Sequence, residues 1–239
     1  MSYYFSVVSK SAAIFVLMTM LFKVFANFVN EWESILFWVI IITITTGNLF
    51  ALRQKNLKRF LAFSSISQAG YIALGVISGT SWGMTTVLFY IFVYLFSNLA
   101  AFGVISAIEN RTDKINIQDY KGLYQTNPKL SFVMMLALFS LAGIAPFSGF
   151  MSKFFIFSAA TQQGYYVLVI IAVVNVVISL YYYLMVVKAM FIDKNDDPIP
   201  ALRTDSWNRA SLVICTVGII FVGHLGFLVD FIDKYSFGI

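Results

Sequence analysis

Charge is what this sequence has least of. Only 11% of its 239 residues are Asp, Glu, Lys or Arg, and 60% are apolar, against about 25% charged in soluble domains. A chain so poor in charge cannot clothe a surface in water. Its mean hydropathy of +0.84 makes it an integral membrane protein whose solvent is the lipid bilayer. The net charge of +5 is no footprint for nucleic acid, because where the cations lie matters more than their sum. A single cysteine, Cys215, excludes a disulfide framework and a cysteine metal cluster. A single histidine, His224, excludes a haem-type pair. Gly-x-Gly phosphate loops and Ser-His-Asp arrangements are missing too, so no metal, nucleotide or redox group is expected in this chain. Proline is rare: Pro198 and Pro200 mark an extramembrane loop, whereas Pro146 interrupts an apolar run.

What is present is apolar length. Seven stretches suffice to span a bilayer, at about 3–26, 34–52, 60–79, 82–107, 130–160, 165–191 and 210–232. The first holds Lys10 and has no charged leader followed by a small-residue cleavage site, so it reads as a spanning helix. The predicted fold is all-α. The connections alternate: residues 27–33, 79–81 and 161–164 are short and poor in basic residues. The others carry Arg53, Lys55, Lys58 and Arg59; Arg111, Lys114, Lys121 and Lys129; and Lys188, Lys194, Arg203 and Arg209. Twelve of the sixteen cations thus fall on one face, which the positive-inside rule assigns to the cytoplasm or matrix. Lys23 and Lys234 belong to the other face, leaving only Lys10 and Lys153 at membrane depth.

Residues 129–160 would make a helix of about 48 Å, well beyond a hydrocarbon core of about 30 Å. Gly143, Pro146 and Gly149 weaken it within seven residues. Pro146 cannot donate a backbone hydrogen bond, and such a break survives in a membrane only where protein or water satisfies the freed carbonyls. Lys153 follows Pro146 by seven residues, about two turns, which puts cation and break on one face. That combination points to charge handled inside the membrane. Desolvation penalises an ammonium. A second one about 10 Å away adds about 1.7 kcal/mol of repulsion at an effective dielectric of about 20, so protonating one lysine helps discharge the next. Snorkelling to the interface is the competing reading, stronger for Lys10 near its chain end than for Lys153.

Ser64, Ser65, Ser67 and Gln68 on the third stretch, and Tyr94, Ser97 and Asn98 on the fourth, could hold a file of water between the lysines or could be interhelical glue. Asn48, Asn175, Ser179 and Tyr181 to Tyr183 read as glue. His224, in Gly223-His224-Leu225-Gly226, is either a packed, hydrogen-bonded residue or a proton relay.

Several strings together resemble the N-type (mitochondrial subunit 2) antiporter-like subunit of NADH:quinone oxidoreductase, complex I. They are Val8-Ser9-Lys10, Gly47 to Leu52, Asn56 to Tyr71 (NLKRFLAFSSISQAGY), Asp119 to Leu123, Gly143 to Phe154 (GIAPFSGFMSKF) and Asn175 to Leu184. The resemblance implies a fourteen-helix fold of two inverted five-helix repeats, each with a broken helix. On that pattern the chain is one transmembrane domain. Residues 1–27 are the last helix of the first repeat, 34–191 the second repeat, and 210–232 the final helix.

Lys10 matches the family's central lysine and Lys153 the lysine of the second broken helix. The implied function is proton translocation in the membrane arm of a respiratory chain dehydrogenase, with Lys10 and Lys153 moving protons and Ser67, Gln68, Tyr94 and His224 as candidates for the hydrated path. NAD, FMN, iron–sulfur clusters and quinone are expected in other subunits. The membrane is then the bacterial cytoplasmic or the mitochondrial inner membrane.

There are departures. The family often carries His where Gln68 stands, and glutamine cannot titrate. Its Gly-Ile-Pro-Pro has Ala145 in place of the first proline. Its other charged residues would precede Met1, so a companion polypeptide or missing segment is expected to supply the remaining helices. Two other readings are a subunit of a multi-subunit cation/proton antiporter or membrane-bound hydrogenase, and a purely structural half-subunit.

Overall fold

Long apolar runs can satisfy their backbone inside a membrane only by closing hydrogen bonds within each segment, and this chain does so. The computed structural model describes residues 2–195, 198–203 and 205–236, and among these every regular element is a helix. The α-helices are α1 Ser2–Thr19, α2 Val29–Leu52, α3 Leu57–Val76, α4 Ser81–Thr112, α5 Leu123–Thr126, α6 Pro128–Ala142, α7 Ser148–Gln162, α8 Tyr166–Phe191, α9 Ser206–Phe221 and α10 Gly226–Ser236. Among the described residues, four helical segments are long and apolar enough to cross a membrane: Ala26–Leu52, Ser81–Thr112, Tyr166–Phe191 and Ser206–His224.

Local chemistry sets several boundaries. Asn56 caps α3 by accepting from the Lys58 and Arg59 amides, and Thr80 caps α4 by accepting from Gly83. Two sequence expectations need correcting. Residues 27–33 are no open connection, since α2 already starts at Val29 and Glu31 lies in its first turn, where the helix dipole favours an acid. Residues 210–232 are not one helix either. The chain tightens into a 3₁₀ turn at Val222–His224 and restarts at Gly226.

α3 carries Ser64, Ser65, Ser67 and Gln68, all buried because other helices enclose it. Small residues let them close in: a Cβ on Gly47 of α2 would sit 2.6 Å from the Ser67 amide nitrogen, and one on Gly70 of α3 2.5 Å from Ile44 Cγ1. Across the same bundle Asn48 donates to Asn175 O and Oδ1, both at 3.1 Å, and Tyr182 donates to Asn48 Oδ1 at 2.9 Å. These residues tie α2 to α8.

The basic connections meet at one end. Leu57 N donates to Ile115 O and Ile117 N to Lys55 O. Lys58 pairs with Glu109, and Arg111 with Asp205. Asn127 donates to Pro200 O at 2.9 Å and accepts from Leu202 N at 2.8 Å.

The interruption of residues 129–160 lies in the middle of the bundle. α6 stops at Ala142, before Pro146 is reached, because Gly143 turns left-handed (φ +85). Gly143 N donates to Ser140 O and Ile144 N to Phe139 O, each at 3.0 Å, the paired bonds of a Schellman stop. Pro146 then keeps the helix from resuming until Ser148. The two half-helices pack so closely that a Cβ on Gly149 would lie 1.8 Å from Ser140 O. Gly149→Ala should therefore destabilise the protein by about 1–3 kcal/mol or more. Gly164→Ala, left-handed but in open space, should cost only the backbone strain of about 1–2 kcal/mol. Thermal unfolding of the two variants in detergent compares them, and equal melting temperatures would contradict the packing described.

Candidate functional site

A Schellman stop satisfies the carbonyls of Phe139 and Ser140 but leaves those of the next two residues open. The structure fills that gap with Lys153. From α7 its Nζ donates to Leu141 O at 2.8 Å and to Ala142 O at 3.0 Å. The residue is only 5% exposed, so it does not snorkel. Its ammonium lies 5.1 Å from the ring centroid of Tyr71 on α3, held by the negative end of one half-helix and an aromatic face. A Cβ on Gly143 would come within 2.9 Å of Lys153 Cδ, so the glycine that stops α6 also makes room for the lysine.

Around Nζ the bundle leaves a cavity of about 10 Å³, lined among others by Gln68, Tyr90, Tyr94, Ser97, Ser140 and Ser152. That is about the room one water molecule needs. Its polar walls are linked. Tyr90 donates to Gln68 Oε1, and Gln68 Nε2 donates to Leu141 O at 3.2 Å, the same carbonyl that Lys153 uses. Ser97 donates to Ser140 Oγ at 2.7 Å, which accepts from Gly149 N at 3.2 Å.

Lys10, partly buried on α1, reaches α3 by donating to Ser65 O at 2.7 Å and Ser65 Oγ at 2.5 Å. Tyr94 is the next residue of the site. It lines the Lys153 cavity, faces the Ser65 side chain, and its buried hydroxyl meets no hydrogen-bond geometry with any described residue. Tyr71 has a buried hydroxyl in the same condition.

Of the residues singled out in the sequence, Lys153, Gln68, Tyr94 and Ser97 come together at one cavity, and Lys10 meets Ser65 on the same helix as Gln68. Ser67 does not. Its hydroxyl donates to Ser64 O at 2.7 Å and its backbone backs onto Gly47 of α2. His224 does not either, because it is exposed at the turn after α9, its Nδ1 3.1 Å from Ile220 O. Tyr71, Tyr90, Ser140 and Ser152 belong to the site and escaped the sequence reading. One signal was there: Tyr90, Tyr94 and Ser97 follow an i, i+4, i+7 stripe, as do Ser64, Gln68 and Tyr71.

Residues 1–179 match the family described as NADH:quinone oxidoreductase/Mrp antiporter, TM. The chain is 56% identical over 238 residues to the NADH-quinone oxidoreductase subunit N of Azobacteroides pseudotrichonymphae, covering 99% of this chain and 50% of that protein. To the subunit N of Phocaeicola vulgatus it is 59% identical over 223 residues, covering 93% and 47%. Among solved structures, a chain of respiratory complex I from Thermus thermophilus with bound aureothin superposes with a TM-score of 0.73 and 32% identity, over 82% of this chain and 45% of that one. The chain spans about half the length of the curated relatives it matches. A lysine seated on the open carbonyls of a broken membrane helix is therefore met here in a chain that belongs to the NADH:quinone oxidoreductase/Mrp antiporter transmembrane family.

Proposed function

We propose that this chain is the second half of an antiporter-like subunit in the membrane arm of an NADH:quinone oxidoreductase, and that it carries protons between Lys10 and Lys153. The observation that carries the reading is the placement of Lys153. An ammonium buried against backbone carbonyls and an aromatic face, beside a cavity of about 10 Å³ with hydroxyl and amide walls, can pass its proton to a water molecule and take it back. Identities of 56% and 59% to proteins named subunit N favour a complex I subunit over a cation/proton antiporter or hydrogenase subunit, or a purely structural half.

In this reading seven spans cross the membrane: α1, α2, α3, α4, the broken pair α6 and α7, α8 and α9. α1 ends a first repeat, α2 to α8 form the second, and α9 follows as the final helix. The redox groups (NAD, FMN, iron–sulfur clusters and quinone) belong to other subunits, whose electron transfer drives the protonation cycle here. Other membrane-arm subunits, and a segment or companion chain supplying the remaining helices, are the partners. The bacterial relatives favour the bacterial cytoplasmic membrane over the mitochondrial inner one, with the basic loops inside.

In the assembled complex, Lys153→Ala and Lys10→Ala should each lower quinone reduction and proton pumping severalfold, while NADH oxidation by a soluble artificial acceptor stays intact. Lys153→Arg separates proton transfer from a structural role, since arginine keeps the charge but does not release its proton. It should pump as poorly as the alanine variant, and wild-type pumping by Lys153→Arg would defeat the mechanism.

Tyr94→Phe tests the route. Removing the buried Tyr94 hydroxyl, which lines the Lys153 cavity near Ser65, should slow pumping while leaving the stability within about 1 kcal/mol of wild type, because no well-formed hydrogen bond is lost with it. Unaltered pumping would place the route elsewhere.

A further inference from the structure

At the basic end of the bundle, two adjoining cavities of about 450 and 470 Å³ share Pro128, Lys129, Val133 and Val213 and together form a groove between α6 and α9. Each has the volume of a small-ligand site. The lower wall is hydrocarbon, with Val133 on α6 facing Leu212 and Val213 on α9, and the mouth carries three exposed cations, Lys129, Arg203 and Arg209. Such a cluster of like charge repels itself unless something neutralises it.

Two of the described carboxylates of this loop are engaged elsewhere. Asp205, between the two arginines in sequence, pairs with Arg111 at 3.2 Å, and Asp193 pairs with Lys188 at 4.0 Å. Among the described residues Lys129, Arg203 and Arg209 take part in no ion pair. The mouth is also fixed in place, because Asn127 holds Leu202 N at 2.8 Å and so ties the backbone beside Arg203 to the start of α6. Trp207, 89% exposed on the first turn of α9, is the kind of ring that sits at headgroup level.

We propose that this groove binds one anionic phospholipid, its phosphate held by Lys129, Arg203 and Arg209 and an acyl chain lying along Val133, Leu212 and Val213. Positive charge directly above an apolar trough calls for a ligand that is an anion at one end and hydrocarbon at the other. A free phosphate would leave the trough empty, and a zwitterionic lipid would leave the cations in excess. The inference is independent of the proton path, since none of these residues touches Lys10, Lys153 or their cavity.

The test uses the whole membrane complex containing this chain, reconstituted in phosphatidylcholine vesicles doped with photoreactive phosphatidylglycerol. Label is expected on α6 and α9. Each of Lys129→Gln, Arg203→Gln and Arg209→Gln should weaken labelling about fivefold, and the triple variant should abolish it. Val133→Trp should weaken it with every cation in place, and Arg53→Gln, on the same membrane face but outside the groove, should leave it as in wild type. Pumping by the single variants should stay near wild type, so failure of this proposal and failure of the proton path are read separately.

Any of four results would overturn the proposal: labelling unchanged in the single variants, equal labelling by photoreactive phosphatidylcholine, competition by glycerol phosphate as strong as by the lipid, or a photoreactive residue at position 213 that captures a neighbouring protein instead of lipid.

Discussion

Backbone carbonyls with no partner cannot be left in a membrane interior, and this chain opens two of them in the middle of its bundle. The Gly143 stop releases the carbonyls of Leu141 and Ala142, where neither bulk water nor lipid can satisfy them. Lys153 does, and in return they supply the polar contacts without which a buried ammonium could not exist. Break and cation are each unaffordable alone and stable together. The close fit of α7 on α6 at Gly149, the room left by Gly143 and the ring of Tyr71 beneath the ammonium all serve that mutual arrangement.

The same economy explains why α3 is so polar. Gln68 donates to the carbonyl that Lys153 uses, and Ser65 receives Lys10. One enclosed helix thus serves both lysines from residues one turn apart. Its hydroxyls and amide would be costly against lipid, but α2, α4 and α7 surround it, with glycines at the tightest contacts. A helix that lipid would reject becomes the helix that meets both lysines.

Polar residues elsewhere divide by what surrounds them. Asn48, Asn175 and Tyr182 hydrogen-bond one another, and Asn175 adds Thr45 and the backbone of α8, so they behave as a clamp between α2 and α8. Around Lys153 the bonds are incomplete: the Tyr94 hydroxyl has no well-formed hydrogen bond and lines an open cavity. Saturated polar clusters lock helices together, whereas unsaturated ones leave water a reason to enter.

The sequence by itself determined the membrane class, the helices, the gathering of cations on alternate loops and the interruption near Pro146. Each of these follows from local composition and from what a backbone can do in hydrocarbon. It also marked Lys10 and Lys153, because charge at that depth is conspicuous in one dimension. Only the tertiary structure decided which polar residues serve them. Gln68 and Tyr94 reach the Lys153 cavity while Ser67, one residue from Gln68, turns to α2, a choice of helix face that depends on where the neighbours pack. Ser140 and Ser152 passed unnoticed since a lone hydroxyl in an apolar run carries no signal until another helix lays a lysine beside it, whereas Tyr90 was legible only through its stripe with Tyr94 and Ser97. The partner of Lys153 was least legible of all: it is backbone, two carbonyls that any residue type would have offered, made available by a left-handed glycine and reached only once α7 folds back on α6.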